Sequence, residues 1–188
     1  MFSSLPNLLT WLRVLAIPLL IGVFYAPVPP ATRDVLATVL FVAAAITDWL
    51  DGWLARKMKQ TSAFGAFLDP VADKLIVCTA LVVLVHLDRV DALVSTIIIG
   101  REITISALRE WMAKVGASTS VAVHSIGKLK TISQLVAIPM LLFNGQLLGV
   151  IDTLVWGRWL IYLAAILTVW SMVYYLRKAW PVLRGHSV

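Results

Sequence analysis

Apolar residues in this chain do not alternate with polar ones at the period of a half-buried helix or strand; they run together. Stretches over 8–26, 35–54, 70–87, 92–112, 122–143 and 159–177 each approach the roughly 20 apolar residues that carry a helix across a bilayer. Ala26-Pro27-Val28-Pro29-Pro30 and Asn144-Gly145-Gln146 break the pattern between runs, and Gly116 to Ser120 is a polar gap before the fifth. The pattern predicts an all-α membrane protein, a bundle of six transmembrane helices forming one domain over 1–188. Helix is expected throughout, because irregular backbone facing lipid would leave peptide groups unpaired. The first run is expected to be a retained helix rather than a signal peptide. No charge precedes it, Arg13 interrupts it, and a turn follows it where a cleavage site would stand.

Composition strengthens this picture. The 188 residues are 60% hydrophobic and only 14% charged, where a soluble domain carries about a quarter charged residues. The single Cys78 excludes an intrachain disulfide and reads as a small packing residue. The net charge of +6 is a topology signal. With a cytoplasmic N-terminus the outer loops fall at 27–34, 88–91 and 144–158, and hold only Arg33, Arg89 and Arg158 of the 16 Lys and Arg residues. That asymmetry puts both termini in the cytoplasm. Nucleic acid is not an expected partner, because no aromatic-basic motif accompanies the charge. The Trp residues cluster near span ends, as interfacial aromatics do, and His124 has no second ligand near it that would make a metal site.

Four acids stand where the apolar pattern least accommodates them. Asp48 and Asp51 lie at the cytoplasmic end of the second run, and Asp69 and Asp73 at the start of the third. Spacings of three and four put each pair on one helical face, and two antiparallel helices joined by a short turn aim the pairs at each other. Converging carboxylates repel unless a cation sits among them, and hard oxygen ligands suit Mg²⁺ or Mn²⁺. Gly52, Ala55, Gly65 and Ala66 allow a ligand close to the backbone, and Arg56 suits a phosphate oxygen. Together these describe a diphosphate site. Against this, Asp69 before Pro70 also fits an ordinary helix N-cap, and intramembrane acids also serve proton relays.

The residues Asp48-x2-Asp51-Gly52-x2-Ala55-Arg56-x8-Gly65-x3-Asp69-x3-Asp73 match, without a departure, the signature of the CDP-alcohol phosphatidyltransferase family. The resemblance implies that family's fold, six transmembrane helices as a homodimer with the active site open to the cytoplasm. It implies a CDP-linked lipid donor such as CDP-diacylglycerol, with CMP leaving. It implies that Asp48, Asp51, Asp69 and Asp73 hold one or two divalent ions, that Asp73 is the base, and that Gly52, Ala55 and Arg56 line the cytidine diphosphate pocket.

A second polar set lies in the fourth and fifth runs, where Arg101, Arg109, Lys128 and Lys130 suit an anionic acceptor. Glu102 stands seven residues before Arg109, and the bland alternative is that those two simply pair. The stretches PNLLTWLRVLAIP, DPVADKLIV, GREITISALREWMA and VAVHSIGKLKT resemble the bacterial members of the family whose acceptor is sn-glycerol 3-phosphate. That similarity implies attack by its 1-hydroxyl, a role in anionic phospholipid synthesis, and residence in the inner membrane among lipids. Asn7, Thr10 and Arg13 form a polar strip that borders the donor pocket or serves as caps and interfacial anchors. Rival readings keep the chemistry with inositol phosphate or serine as acceptor, or make the acids the path of a cation or proton transporter. A transporter is disfavoured by the absence of an internal repeat and by acids gathered at one face.

Overall fold

The computed structural model describes residues 5–58, 63–116 and 125–185, and for 5–9, 49, 51–58, 63–66, 125–128, 182–183 and 185 it describes the backbone alone. Six α-helices lie within these residues: α1 Leu5–Gly22, α2 Pro30–Met58, α3 Ala63–His86, α4 Ala92–Lys114, α5 Ser125–Phe143 and α6 Thr153–Gly185. A 3-10 turn at Val23–Tyr25 follows α1. Within the described residues each apolar run found in the sequence falls mainly on one of these helices, the first running on into the 3-10 turn.

Two features depart from the helical expectation. Between α5 and α6 the chain makes a small antiparallel ladder of β1 Gln146–Leu147 and β2 Ile151–Asp152. Leu148 and Gly149, both at positive φ, reverse the chain between them. The Asp152 carboxylate then accepts the backbone N–H of Leu154 at 3.0 Å and of Val155 at 3.1 Å, capping α6. That cap starts α6 six residues before the predicted boundary at 159, so the last six residues of the expected outer loop, 153–158, are helix. The second departure is at α3, which begins at Ala63 and not at Pro70. Pro70 therefore lies inside the helix, and Asp69 is not an N-cap. Its carboxylate is engaged by α1 instead.

By length and composition, the segments Pro30–Asp48 and Thr153–Pro181 are able to cross a membrane, and Thr10–Tyr25 and Leu129–Phe143 are shorter apolar helical stretches. The exterior carries large apolar side chains such as Leu15, Leu19, Trp159, Ile166 and Trp170. Inside, α1 packs on α2 and α3, and α5 packs along α6. Ala37, Ala44, Ala80, Ala137 and Ala165 let the helices approach, while Leu20, Leu81, Leu84, Ile98 and Leu142 fill the space between them. Gly157 of α6 lies close against α5, where an added Cβ would lie 2.7 Å from Leu141 Cγ and 3.3 Å from the Ala137 carbonyl oxygen.

The arginines predicted for the outer loops are folded into structure. Arg89, 7% exposed, donates to Asp34 at 2.5 Å and to the Leu141 and Leu142 carbonyls at 3.1 and 2.8 Å, closing the end of α5. Arg158 donates to the backbone carbonyls of Arg89 at 3.1 Å and Asp88 at 3.0 Å. This charge cluster ties the α3–α4 connection, α5 and α6 together at the end of the bundle away from the acidic motif.

Gly157→Val is expected to destabilise the protein by about 1–3 kcal/mol, the usual effect of overpacking. Thermal unfolding in detergent reads this directly, and an unchanged Tm would mean that α5 and α6 are not in close contact at that point.

Candidate active site

A charge in the middle of an apolar helix needs a partner. Arg13 of α1, whose side chain is 0% exposed, places Nη1 3.0 Å from Asp48 Oδ1 of α2 and 3.0 Å from Asp73 Oδ1 of α3. One guanidinium nitrogen thus bridges two of the motif's aspartates and pins three helices. One turn earlier on α1, the buried Thr10 hydroxyl donates to Asp69 Oδ1. Thr10 and Arg13 on α1 therefore match Asp69 and Asp73 on α3, rung for rung. Asp48 and Asp73 remain 42% and 44% exposed, so they keep an open side away from Arg13.

That open side is a cavity of about 350 Å³ lined by Asp48 and Asp73 together with Arg101, Glu102 and Arg109 of α4, Lys130 and Gln134 of α5, and Tyr175 of α6. Three of the four basic residues predicted to hold an acceptor phosphate, Arg101, Arg109 and Lys130, thus share one space with Asp48 and Asp73. Arg101 is buried and donates to Ser171 Oγ at 3.1 Å and to Glu102 Oε1 at 3.4 Å. Arg109 donates to the Tyr175 hydroxyl at 3.2 Å. Although Arg101 and Arg109 start about 12 Å apart along α4, both guanidinium groups lie over the Tyr175 ring, at 5.7 and 5.1 Å from its centroid. Glu102 does not take Arg109 as its partner among these contacts; it is ion-paired to Lys130 and to Arg101.

A second, apolar opening of about 220 Å³ is lined by Phe41, Val42, Ala45, Ile46 and Leu135, between α2 and α5. It shares Phe41, Ala45 and Leu135 with the main cavity, so the charged space continues into an apolar one on the outer surface of the bundle.

The donor set fits a hard divalent cation. Carboxylate oxygens from two helices already converge within 3.0 Å of one cationic nitrogen, and among the described residues no His or Cys lines the cavity beside them. Among the described residues no three His, Cys, Asp or Glu side chains form a metal cluster by themselves. The Asp51 side chain lies outside the described residues, as do those of Asn7, Ala55, Arg56 and Lys128 and the surroundings of Gly52 and Gly65. Sequence reasoning passed over Ser171, Gln134 and Tyr175. A Ser, a Gln or a Tyr on an apolar helix carries no spacing signal, and only the fold turns it toward the arginines.

The family model described as CDP-alcohol phosphatidyltransferase matches residues 3–170. The chain belongs to the CDP-alcohol phosphatidyltransferase family. Within it, the chain is similar to a CDP-diacylglycerol–glycerol-3-phosphate 3-phosphatidyltransferase of Haemophilus influenzae, 46% identical over 94% of this chain and 93% of that protein. A protein of the same name from Escherichia coli K12 is 46% identical over 94% of each chain. One from Arabidopsis thaliana, with the same name numbered 2, is 48% identical over 96% of this chain and 81% of its own length.

Arg13→Met keeps the length of the side chain and removes its charge, leaving Asp48 and Asp73 to repel each other. The variant is expected to unfold at lower temperature in EDTA, by the equivalent of about 1–3 kcal/mol, and to gain more from added Mg²⁺ than the wild type does. A Tm unmoved in both conditions would show that Arg13 does not hold the two aspartates together.

Proposed function

We propose that the chain transfers the phosphatidyl group of CDP-diacylglycerol to the 1-hydroxyl of sn-glycerol 3-phosphate, giving phosphatidylglycerophosphate and CMP. The observation that carries this reading is that Arg101, Arg109 and Lys130 face the same cavity as Asp48 and Asp73. Bases for an acceptor phosphate beside acids for a diphosphate are what this transfer requires. Serine would not need three such bases, and a proton path would not need them at all. The names of the relatives support the same acceptor.

In the reaction the acceptor oxygen forms a bond to the phosphatidyl phosphorus. The bond from that phosphorus to the bridging oxygen breaks, and CMP leaves with its electron pair. Asp48, Asp51, Asp69 and Asp73 hold one or two Mg²⁺ or Mn²⁺ ions, whose charge offsets that of the diphosphate. Asp73 accepts the proton of the attacking hydroxyl, with its orientation set by Arg13. Thr10 keeps Asp69 in place. Gly52, Ala55, Arg56 and Gly65 line the cytidine diphosphate pocket, and Asn7 borders it. Arg101, Arg109, Lys128 and Lys130 bind the acceptor phosphate, with Glu102 holding Arg101 and Lys130 ready. The acyl chains leave through the apolar opening between α2 and α5, so the lipid reacts without quitting the bilayer.

The same proposal has all six helices crossing the inner membrane of a bacterium as a single catalytic domain. Both termini and the site face the cytoplasm, and two copies form a homodimer. The positive-inside asymmetry supports the orientation.

The test is CMP release from CDP-diacylglycerol by the purified protein, with glycerol 3-phosphate, inositol phosphate and serine offered in parallel. Release with glycerol 3-phosphate alone, abolished by EDTA, is expected; release only with another alcohol would overturn the acceptor. Asp73→Asn is expected to lower kcat by at least about 100-fold while CDP-diacylglycerol still binds, whereas equal loss of binding would make Asp73 chiefly a metal ligand. Arg109→Ala is expected to raise the acceptor's KM on the order of 10-fold, as loss of a charged hydrogen bond does, and to leave the donor's KM in place. Unchanged acceptor kinetics would remove Arg109 from the site.

A further inference from the structure

Among the described residues, Arg101, Glu102, Arg109 and Lys130 are engaged with one another or with Ser171 and Tyr175, although Arg101 Nε has no partner, whereas Gln134 makes no such contact. It is 5% exposed, it lines the cavity, and its amide nitrogen is shielded from water with no hydrogen-bond partner among the described residues. A buried amide left without a partner is destabilising, and the folded chain tolerates one here at the wall of the cavity. Gln134 follows Lys130 by four residues on α5, so the two stand on one helical face about one turn, roughly 6 Å, apart.

The chemistry of the pair is complementary. The Lys130 ammonium is a donor only and suits a phosphate. A primary amide both donates and accepts, which suits a neutral hydroxyl. Arg101 and Arg109 supply further positive charge in the same cavity and have no acceptor atom to offer a hydroxyl.

We infer that Gln134 is a specificity-determining residue that reads the middle hydroxyl of the acceptor while the neighbouring bases hold its phosphate. The inference rests on the reading of the acceptor as a phosphorylated polyol. Gln134 takes no part in the chemistry at phosphorus. It selects acceptors that carry a hydroxyl next to the attacking carbon, because an acceptor without one leaves the buried amide unpaired. Sites that hydrogen-bond a substrate hydroxyl reject the analogue lacking it more strongly than apolar pockets reject an extra methylene.

The experiment compares glycerol 3-phosphate with 3-hydroxypropyl phosphate, which keeps the attacking primary hydroxyl and the phosphate and lacks only the middle hydroxyl. CMP release is followed with the full-length protein in detergent, for the wild type and for Gln134→Met, which keeps the side chain's length without its hydrogen bonds. The wild type is expected to favour glycerol 3-phosphate in kcat/KM on the order of 10- to 100-fold, the range for a buried hydrogen bond. In Gln134→Met that preference is expected to collapse towards one, with 3-hydroxypropyl phosphate turned over as before and the KM for CDP-diacylglycerol unmoved. Equal losses for both acceptors would assign Gln134 to packing and overturn the inference. So would a wild type that uses both acceptors equally well, whether or not the variant folds. A wild type that uses neither phosphate but does use another alcohol would sink the acceptor reading and this inference with it.

Discussion

The bundle is organised by a constraint that apolar surroundings impose on charge: an ion held away from water needs a counter-ion within reach. Arg13 meets that constraint with two aspartates from two other helices, both at 3.0 Å from the same nitrogen. Because the contact is shared, α1, α2 and α3 are set relative to one another by a single side chain. The Thr10–Asp69 contact one turn away fixes the register of α1 on α3. Asp48 and Asp73 are then held in place at the edge of the cavity.

The same physics gives different results at the two ends of the molecule. Away from the motif, Arg89 donates to Asp34 Oδ2 and to two backbone carbonyls and Arg158 to two more, and what results is a fastening, with Asp34 Oδ1 left without a hydrogen bond among the described residues. At the cavity, the matching of charge is looser. Asp48 and Asp73 are more than two-fifths exposed, Arg109 spends a donor on a neutral phenol, and Gln134 Nε2 has no partner among the described residues. Side chains in that condition are stabilised further by a ligand, and the apolar opening at Phe41, Ala45 and Leu135 gives a lipid a way to bring one.

Much of this was legible in the sequence, and for identifiable reasons. Long apolar runs leave helices as the only economical structure, so the six helices could be placed from hydropathy. Charged residues stand out against such a background, so Asp48, Asp69, Asp73, Arg101, Arg109 and Lys130 could be picked out one by one. Contacts between helices could not. Nothing in the spacing says that Arg13 reaches two aspartates some 35 and 60 residues away, that Glu102 chooses Lys130 over Arg109, or that two arginines eight residues apart meet over Tyr175. The boundaries that failed did so through particular side chains, one local and one reaching from another helix. Asp152 caps α6 early, and Asp69 is taken by Thr10 in place of the cap expected before Pro70.

The central claim is that acids and bases serve one reaction because they share one space, so a cation held by the aspartates and the phosphate of the acceptor should lie within a few ångströms of each other. Relaxation of the ³¹P signal of glycerol 3-phosphate by Mn²⁺ bound to the protein measures that proximity directly. The account predicts strong relaxation with the wild-type protein, reduced to the level of free Mn²⁺ by Asp48→Asn. Relaxation no greater with the wild type than with that variant would contradict it, placing the acceptor or the cation somewhere else on the chain.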